Sequence, residues 1–146
     1  MVKKLSRIKV AVFHQCAEDS FQDAKILLES KKRRKKNGAV YLAGFSLECD
    51  LKYSVFSLQK YNSVTKEQAK KFKHNLRELY EMIKPRITKK NPYRVIPQDI
   101  DTAFTRVDDT WDNDLRYVSG AIEQDEARKF VEAVEKLRRI IWETTN

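Results

Sequence analysis

The stretch that most restricts the fold is Tyr41–Lys52, YLAGFSLECDLK, a strongly apolar dozen in a chain that is 35% charged. A helix that is apolar nearly all round is one enclosed by other helices, so the remaining segments must wrap this one. Its ionisable side chains are Tyr41, Glu48, Asp50 and Lys52. Glu48 and Lys52 stand four apart with the carboxylate first, the favourable order for a helical ion pair. That pair either satisfies itself or faces a site.

With 146 residues the chain fits one domain spanning residues 1–146 and can bury a real core. Only 3 Gly and 3 Pro leave little turn chemistry for a multi-stranded sheet, which favours an all-α fold. No window approaches about 18 uninterrupted apolar residues, so no membrane span is expected. The apolar run after Lys3 and Lys4 is short for a secretory signal, and residues 14–19 lack a small-residue cleavage pattern. Cys16 and Cys49 fall on apparent packed faces and read as buried thiols of a reducing cytoplasm rather than a disulfide.

Periodicity divides the chain into about five helices. Phe13, Ala17, Phe21, Ala24 and Leu28 make one stripe over residues 6–30, and Asn37-Gly38 is expected to separate it from a second helix over residues 39–61. Gly44 inside that helix implies a close neighbour, because Gly costs about 1 kcal/mol against Ala there. Thr65-x-x-Gln68 is a capping box opening a third helix, in which Ala69, Phe72, Leu76, Leu79 and Ile83 form the apolar face and Pro85 marks the stop. Residues 86–96 read as an irregular basic connection, Pro97 as the first residue of a fourth helix, and residues 125–144 as the last. The expected fold is an antiparallel helical bundle of four to five helices, with no strand required.

Charge is lopsided within a net of +9. Residues 1–97 hold 23 Lys and Arg against 9 Asp and Glu, whereas residues 98–146 hold 7 against 12. A basic half favours an anionic partner such as RNA, and opposite halves also permit self-association. Lys31, Lys32, Arg33, Arg34, Lys35 and Lys36 form a run that either contacts phosphates or is a solvated turn. His74 falls off the apolar stripe, beside Lys70, Arg77 and Glu81, so it faces solvent or a partner. Arg77 joins the basic run as a candidate nucleic-acid contact. The acidic run 108–114 lacks the glycine and distal Glu of a calcium loop, and no Gly-rich phosphate fingerprint occurs, so no metal or cofactor is expected.

The polar residues left over after the core is assigned carry a resemblance. YLAGFSLECDLK resembles the second helix of the HEPN family of small prokaryotic helical domains, commonly Y-L-A-G-Y-x-x-E-C-x-L-K. His74-Asn75-Leu76 with Leu79 is similar to that family's H-[DN]-L-x-x-L, and Trp111 followed by Arg116-Tyr117 to its W…R-Y element. The resemblance spans about residues 13–142. It implies a HEPN-like bundle, commonly a homodimer, in toxin–antitoxin, defence or RNA-processing settings, either as a metal-independent ribonuclease or as the non-catalytic partner of a nucleotidyltransferase. The family's nuclease motif, R-x(4–6)-H near the end of a late helix, is missing from that place. Arg7 and His14 have the spacing but lie in the first helix, and the match reads as chance.

Were the chain a ribonuclease, RNA cleavage would need a base, an acid and positive charge at the phosphate. His74 is the candidate acid or base, Lys52 or Arg116 the phosphate stabiliser, and Glu48 the group that orients His74 or fixes Lys52. Asn75, Trp111 and Tyr117 support the motif. Against this stands a plain structural reading, in which Glu48 and Lys52 are a paired charge between helices. Three functions remain open: an RNA-binding or nucleotidyltransferase-partner module, a ribonuclease with a non-standard site, and a purely structural partner.

Overall fold

A computed structural model describes residues 7–32, 34–90, 97–111 and 122–146. The described chain is an all-α helical bundle: β1 (Arg7–Lys9), α1 (Val10–Glu29), α2 (Arg34–Leu58), β2 (Ser63–Thr65), α3 (Lys66–Lys70), α4 (Leu76–Lys90), α5 (Pro97–Thr110) and α6 (Gln124–Thr145). As its composition requires, α2 is central and packs on α1, α4 and α6, while α5 closes against α4 and α6. Its residues Ala43, Leu47 and Leu51 are wholly buried, and Phe104, Phe130, Leu79 and Leu137 meet them in one continuous core.

Several boundaries differ from expectation, each for a local reason. The first helix starts at Val10 rather than residue 6, because Arg7–Lys9 pairs antiparallel with Ser63–Thr65. A two-stranded ladder therefore exists where none was expected. Arg7 is absorbed by that ladder, donating to Ser63 Oγ at 2.8 Å and to its carbonyl at 2.9 Å. Asn37-Gly38 does not break the chain; α2 runs through it. Asn37 is buried and its Oδ1 accepts from the Ile122 N–H at 2.8 Å, a tertiary tie that outweighs its turn preference.

The third expected helix is two helices. The Thr65 capping box is present in full, with Gln68 N–H on Thr65 Oγ1 at 3.1 Å and the Thr65 N–H on Gln68 Oε1 at 2.8 Å. Ala69, Phe72, Leu76, Leu79 and Ile83 are all buried. Between them, however, Lys73 takes a left-handed φ of 49°, and Asn75 accepts the Glu78 N–H at 3.0 Å as a fresh N-cap. Pro85 does not stop α4, which continues to Lys90. A proline inside a helix costs about 3 kcal/mol, and burial of Ile83 and Ile87 on either side offsets it. Pro97 begins α5 as expected.

Gly44 does what its position implied, with a side chain as the neighbour rather than a helix backbone. A Cβ there would lie 2.0 Å from Trp111 Cδ1. The Trp111 indole occupies this notch, and its Nε1–H donates to the Tyr41 carbonyl at 3.1 Å. Beside it, Tyr80 stacks on Phe104 at 4.0 Å and donates to Asp101 at 2.6 Å. Burial and then the Asp101 carboxylate push the Tyr80 phenol up, so it stays a donor through the neutral range.

Gly44→Ala tests the notch. Helix propensity alone would stabilise α2 by about 1 kcal/mol, but evicting the indole costs about 1–3 kcal/mol plus the Trp111 hydrogen bond. The expected outcome is a lower urea midpoint and red-shifted tryptophan emission. An unchanged midpoint would show that Trp111 can leave at no cost.

Candidate functional site

In its central turns α2 buries two carboxylates, Glu48 and Asp50, and the ammonium of Lys52. At 3.6 residues per turn, Glu48 and Lys52 share one face, while Asp50 is turned roughly 200° from Glu48. The helix thus sends one carboxylate towards α3 and α4 and the other towards α1 and α6.

Glu48 is only 2% exposed and uses both oxygens. Oε2 accepts from Lys52 Nζ at 2.9 Å, and Oε1 meets His74 Nδ1 at 2.8 Å. The ionised carboxylate can only accept, so a ring hydrogen sits on Nδ1, and Nε2 has no partner among the described residues. His74 is 48% exposed by side chain. It stands in the turn between α3 and α4, aimed by the left-handed Lys73 before it and the Asn75 cap after it. Lys70, Lys71 and Lys73 of the same segment are exposed.

Other expected residues have more structural placements. Arg77 bridges helices: its Nε donates to Asp108 at 3.0 Å, and its guanidinium lies 5.0 Å from the Phe104 ring centre. Trp111 fills the Gly44 notch. Lys31, Lys32 and Lys35 are exposed, but Lys36 is buried with its ammonium on the Leu28 and Ser30 carbonyls, closing the C-terminus of α1. Arg33, Arg116 and Tyr117 lie outside the described residues, as does the side chain of Arg34.

A second cluster has no counterpart among the expected site residues. Asp50 Oδ1 meets His14 Nδ1 at 2.9 Å, and Oδ2 accepts from Arg138 Nε at 2.5 Å. Arg138 Nη2 in turn reaches Glu18. Burial pushes the Asp50 carboxyl up, against the pull of the Arg138 guanidinium and the His14 bond. Only the i,i+4 pair Glu48–Lys52 is visible as a sequence pattern; the partners of Asp50 come from 36 and 88 residues away.

Between the two carboxylates in sequence lies Cys49, whose thiol burial pushes up to about 12, with the adjacent Glu48 carboxylate adding to the shift. Cys16, expected to be packed, is exposed, because it falls beside rather than on the buried Ala17–Phe21 stripe. Among the described residues no group of three or more His, Cys, Asp or Glu could hold a metal ion, and no helix is long and apolar enough to cross a membrane. Compared with known proteins, the chain matches no family model, no curated protein and no solved structure.

Two outcomes follow for these buried groups. A maleimide should label Cys16 alone in the folded protein, with Cys49 added only after denaturation, as read by intact mass. Lys52→Met should destabilise the fold by about 3 kcal/mol in urea, because it leaves the buried Glu48 with one partner. Adding Glu48→Gln should recover part of that loss; no recovery would show that the pair is not coupled.

Proposed function

We propose that this chain is a HEPN-like helical-bundle protein that engages RNA on the face around His74. The observation that carries the reading is the Glu48–His74 contact. A buried, doubly bonded carboxylate fixes an imidazole whose other nitrogen opens to solvent, in a turn that also presents Lys70, Lys71 and Lys73. Lysines supply affinity by releasing counterions from phosphates, and a fixed imidazole supplies a positioned hydrogen-bonding group. Lys31, Lys32 and Lys35 extend the basic surface. In the setting that the resemblance suggests, a prokaryotic toxin–antitoxin or defence system, the protein would act as a homodimer or beside a nucleotidyltransferase.

The same contact favours a second reading, a metal-independent ribonuclease. His74 Nε2 would take the proton of a 2′-hydroxyl. The 2′-oxygen would then attack phosphorus to form a cyclic phosphate, and the departing 5′-oxygen would take a proton from solvent. A positioned base such as His74 is worth about 10²–10⁴-fold, and Glu48 would hold its ring and stabilise the imidazolium. Lys52 Nζ would act through Glu48 rather than on the phosphate, since it is nearly buried and bonded.

RNA binding measured over a salt series tests the first reading. Log affinity should fall linearly with log salt, with each phosphate that a lysine neutralises on a single strand adding about 0.7 to the slope. The Lys70→Ala/Lys71→Ala/Lys73→Ala variant should therefore flatten it by about 2. No binding at low salt would overturn the reading. For the second, single-turnover cleavage should vanish in His74→Ala and drop at least about tenfold in Glu48→Gln. Binding that persists in a wild type unable to cleave would leave the binding module alone.

A further inference from the structure

The cavity between α1 and α6, about 390 Å³, has no part in the reading above. Asp50 orients two groups along its wall, His14 through Nδ1 and Arg138 through Nε. Glu18 fixes a second guanidinium nitrogen, Nη2. The remaining atoms, His14 Nε2 and Arg138 Nη1, make no hydrogen bond among the described residues. No fully buried side-chain nitrogen or oxygen there lacks a partner, so both atoms are open to the space they line. An ion pair serving packing alone has no need to hold a ring acceptor and a guanidinium corner in that way.

Charge and shape narrow the ligand. Lys25 and Arg139 also line the cavity, and neither has an ion pair among the described residues. The charged groups that line the cavity with His14 are Glu18 and Lys25 on α1, Asp50 on α2, and Glu135, Arg138 and Arg139 on α6. Their charges cancel when His14 is neutral, and a proton on Nε2 makes the cavity positive. A phosphate there would accept hydrogen bonds from Arg138 Nη1 and from a protonated His14 Nε2. Trp142 stacks on His14 at 4.3 Å and 27°, is 39% exposed and borders the cavity. It offers an aromatic wall next to the cationic corner. Pockets of about 300–1,000 Å³ hold single small molecules.

We propose that this cavity binds a ring-bearing phosphomonoester of nucleoside-monophosphate size, its phosphate on Arg138 Nη1 and His14 Nε2 and its ring against Trp142. The phosphate belongs either to a free small molecule or to the 5′ end of an RNA strand, and both present the same chemistry.

The chain has 2 histidines, which makes their imidazole NMR signals a direct readout. Uridine 5′-monophosphate should shift the His14 resonances and raise their titration midpoint while leaving those of His74 in place. Inorganic phosphate should do so more weakly, and uridine should not. A response to a 5′-phosphorylated oligoribonucleotide but not to its 5′-hydroxyl form points to a strand end; a response to the mononucleotide alone points to a free ligand. The Lys25→Ala/Arg139→Ala variant, changed only at the rim, should bind the mononucleotide about tenfold more weakly. His14 signals unmoved to about 10 mM mononucleotide, well beyond a millimolar Kd, would overturn the proposal. So would equal shifts in both histidines, or undiminished affinity in the rim variant. RNA that moves His74, with His14 unmoved by RNA and mononucleotide alike, would sink this site and leave the RNA-binding reading standing.

Discussion

Two carboxylates buried on one helix set the terms for the rest of the molecule. An ionised carboxylate taken out of water is costly unless partners and hydrogen bonds meet it. Glu48 and Asp50 are both buried on α2, two residues apart, so their partners must arrive from opposite directions. The chain supplies Lys52 and His74 on one side and His14 and Arg138 on the other. Each partner from another element draws that element onto α2: the α3–α4 turn through His74, α1 through His14 and α6 through Arg138. Apolar burial makes the bundle compact, while these contacts choose the register in which the helices meet, since sliding any of them by one turn would strand a buried charge.

The same logic explains where the chain tolerates irregularity. Gly44 gives up helix propensity to admit the Trp111 indole, which fixes the end of α5 against the Tyr41–Gly44 turn of α2. Lys73 adopts a left-handed backbone, at roughly 1–2 kcal/mol, in the turn that delivers His74 to Glu48. Asn75 then restarts the helix as an N-cap. An unbroken helix over this stretch would carry the same buried stripe. The break lets the chain keep Phe72 and Leu76 in the core while placing His74 at the lip of the buried pair.

Much of the fold is legible in the sequence because it rests on local patterns. The apolar α2, the Thr65–Gln68 capping box, the stripe from Ala69 to Ile83 and Pro97 at a helix start are all short-range signals, and the structure uses each of them. The features that escape such patterns depend on distant partners. Asn37 has the local character of a helix breaker, which the Ile122 N–H on its side chain overrides, and Pro85 has that of a stop, which the burial of Ile87 overrides. In the site, Glu48–Lys52 has an i,i+4 signature, and His74 stands out by falling off its stripe. His14 has no such mark. It sits on a polar flank of α1, and its single spacing clue points to Arg7, which serves the β1–β2 ladder instead. The cluster of His14, Asp50 and Arg138 exists only once three helices are assembled.

The two histidines share a design and differ in surroundings, and the difference bears on what each can do. Both are held through Nδ1 by a buried carboxylate of α2, which fixes the ring and leaves Nε2 free. His74 stands on an open turn with exposed lysines on its own segment, a surface suited to a long polyanion that approaches from solvent. His14 stands in a cavity, with one ring face covered by Trp142 and a guanidinium held by the same Asp50 that holds the imidazole. Such fixed contacts suit a small ligand, because each is positioned before the ligand arrives and little ordering cost remains at binding. A single helix carrying acids on opposite faces thereby holds one imidazole at an open turn and another in a cavity.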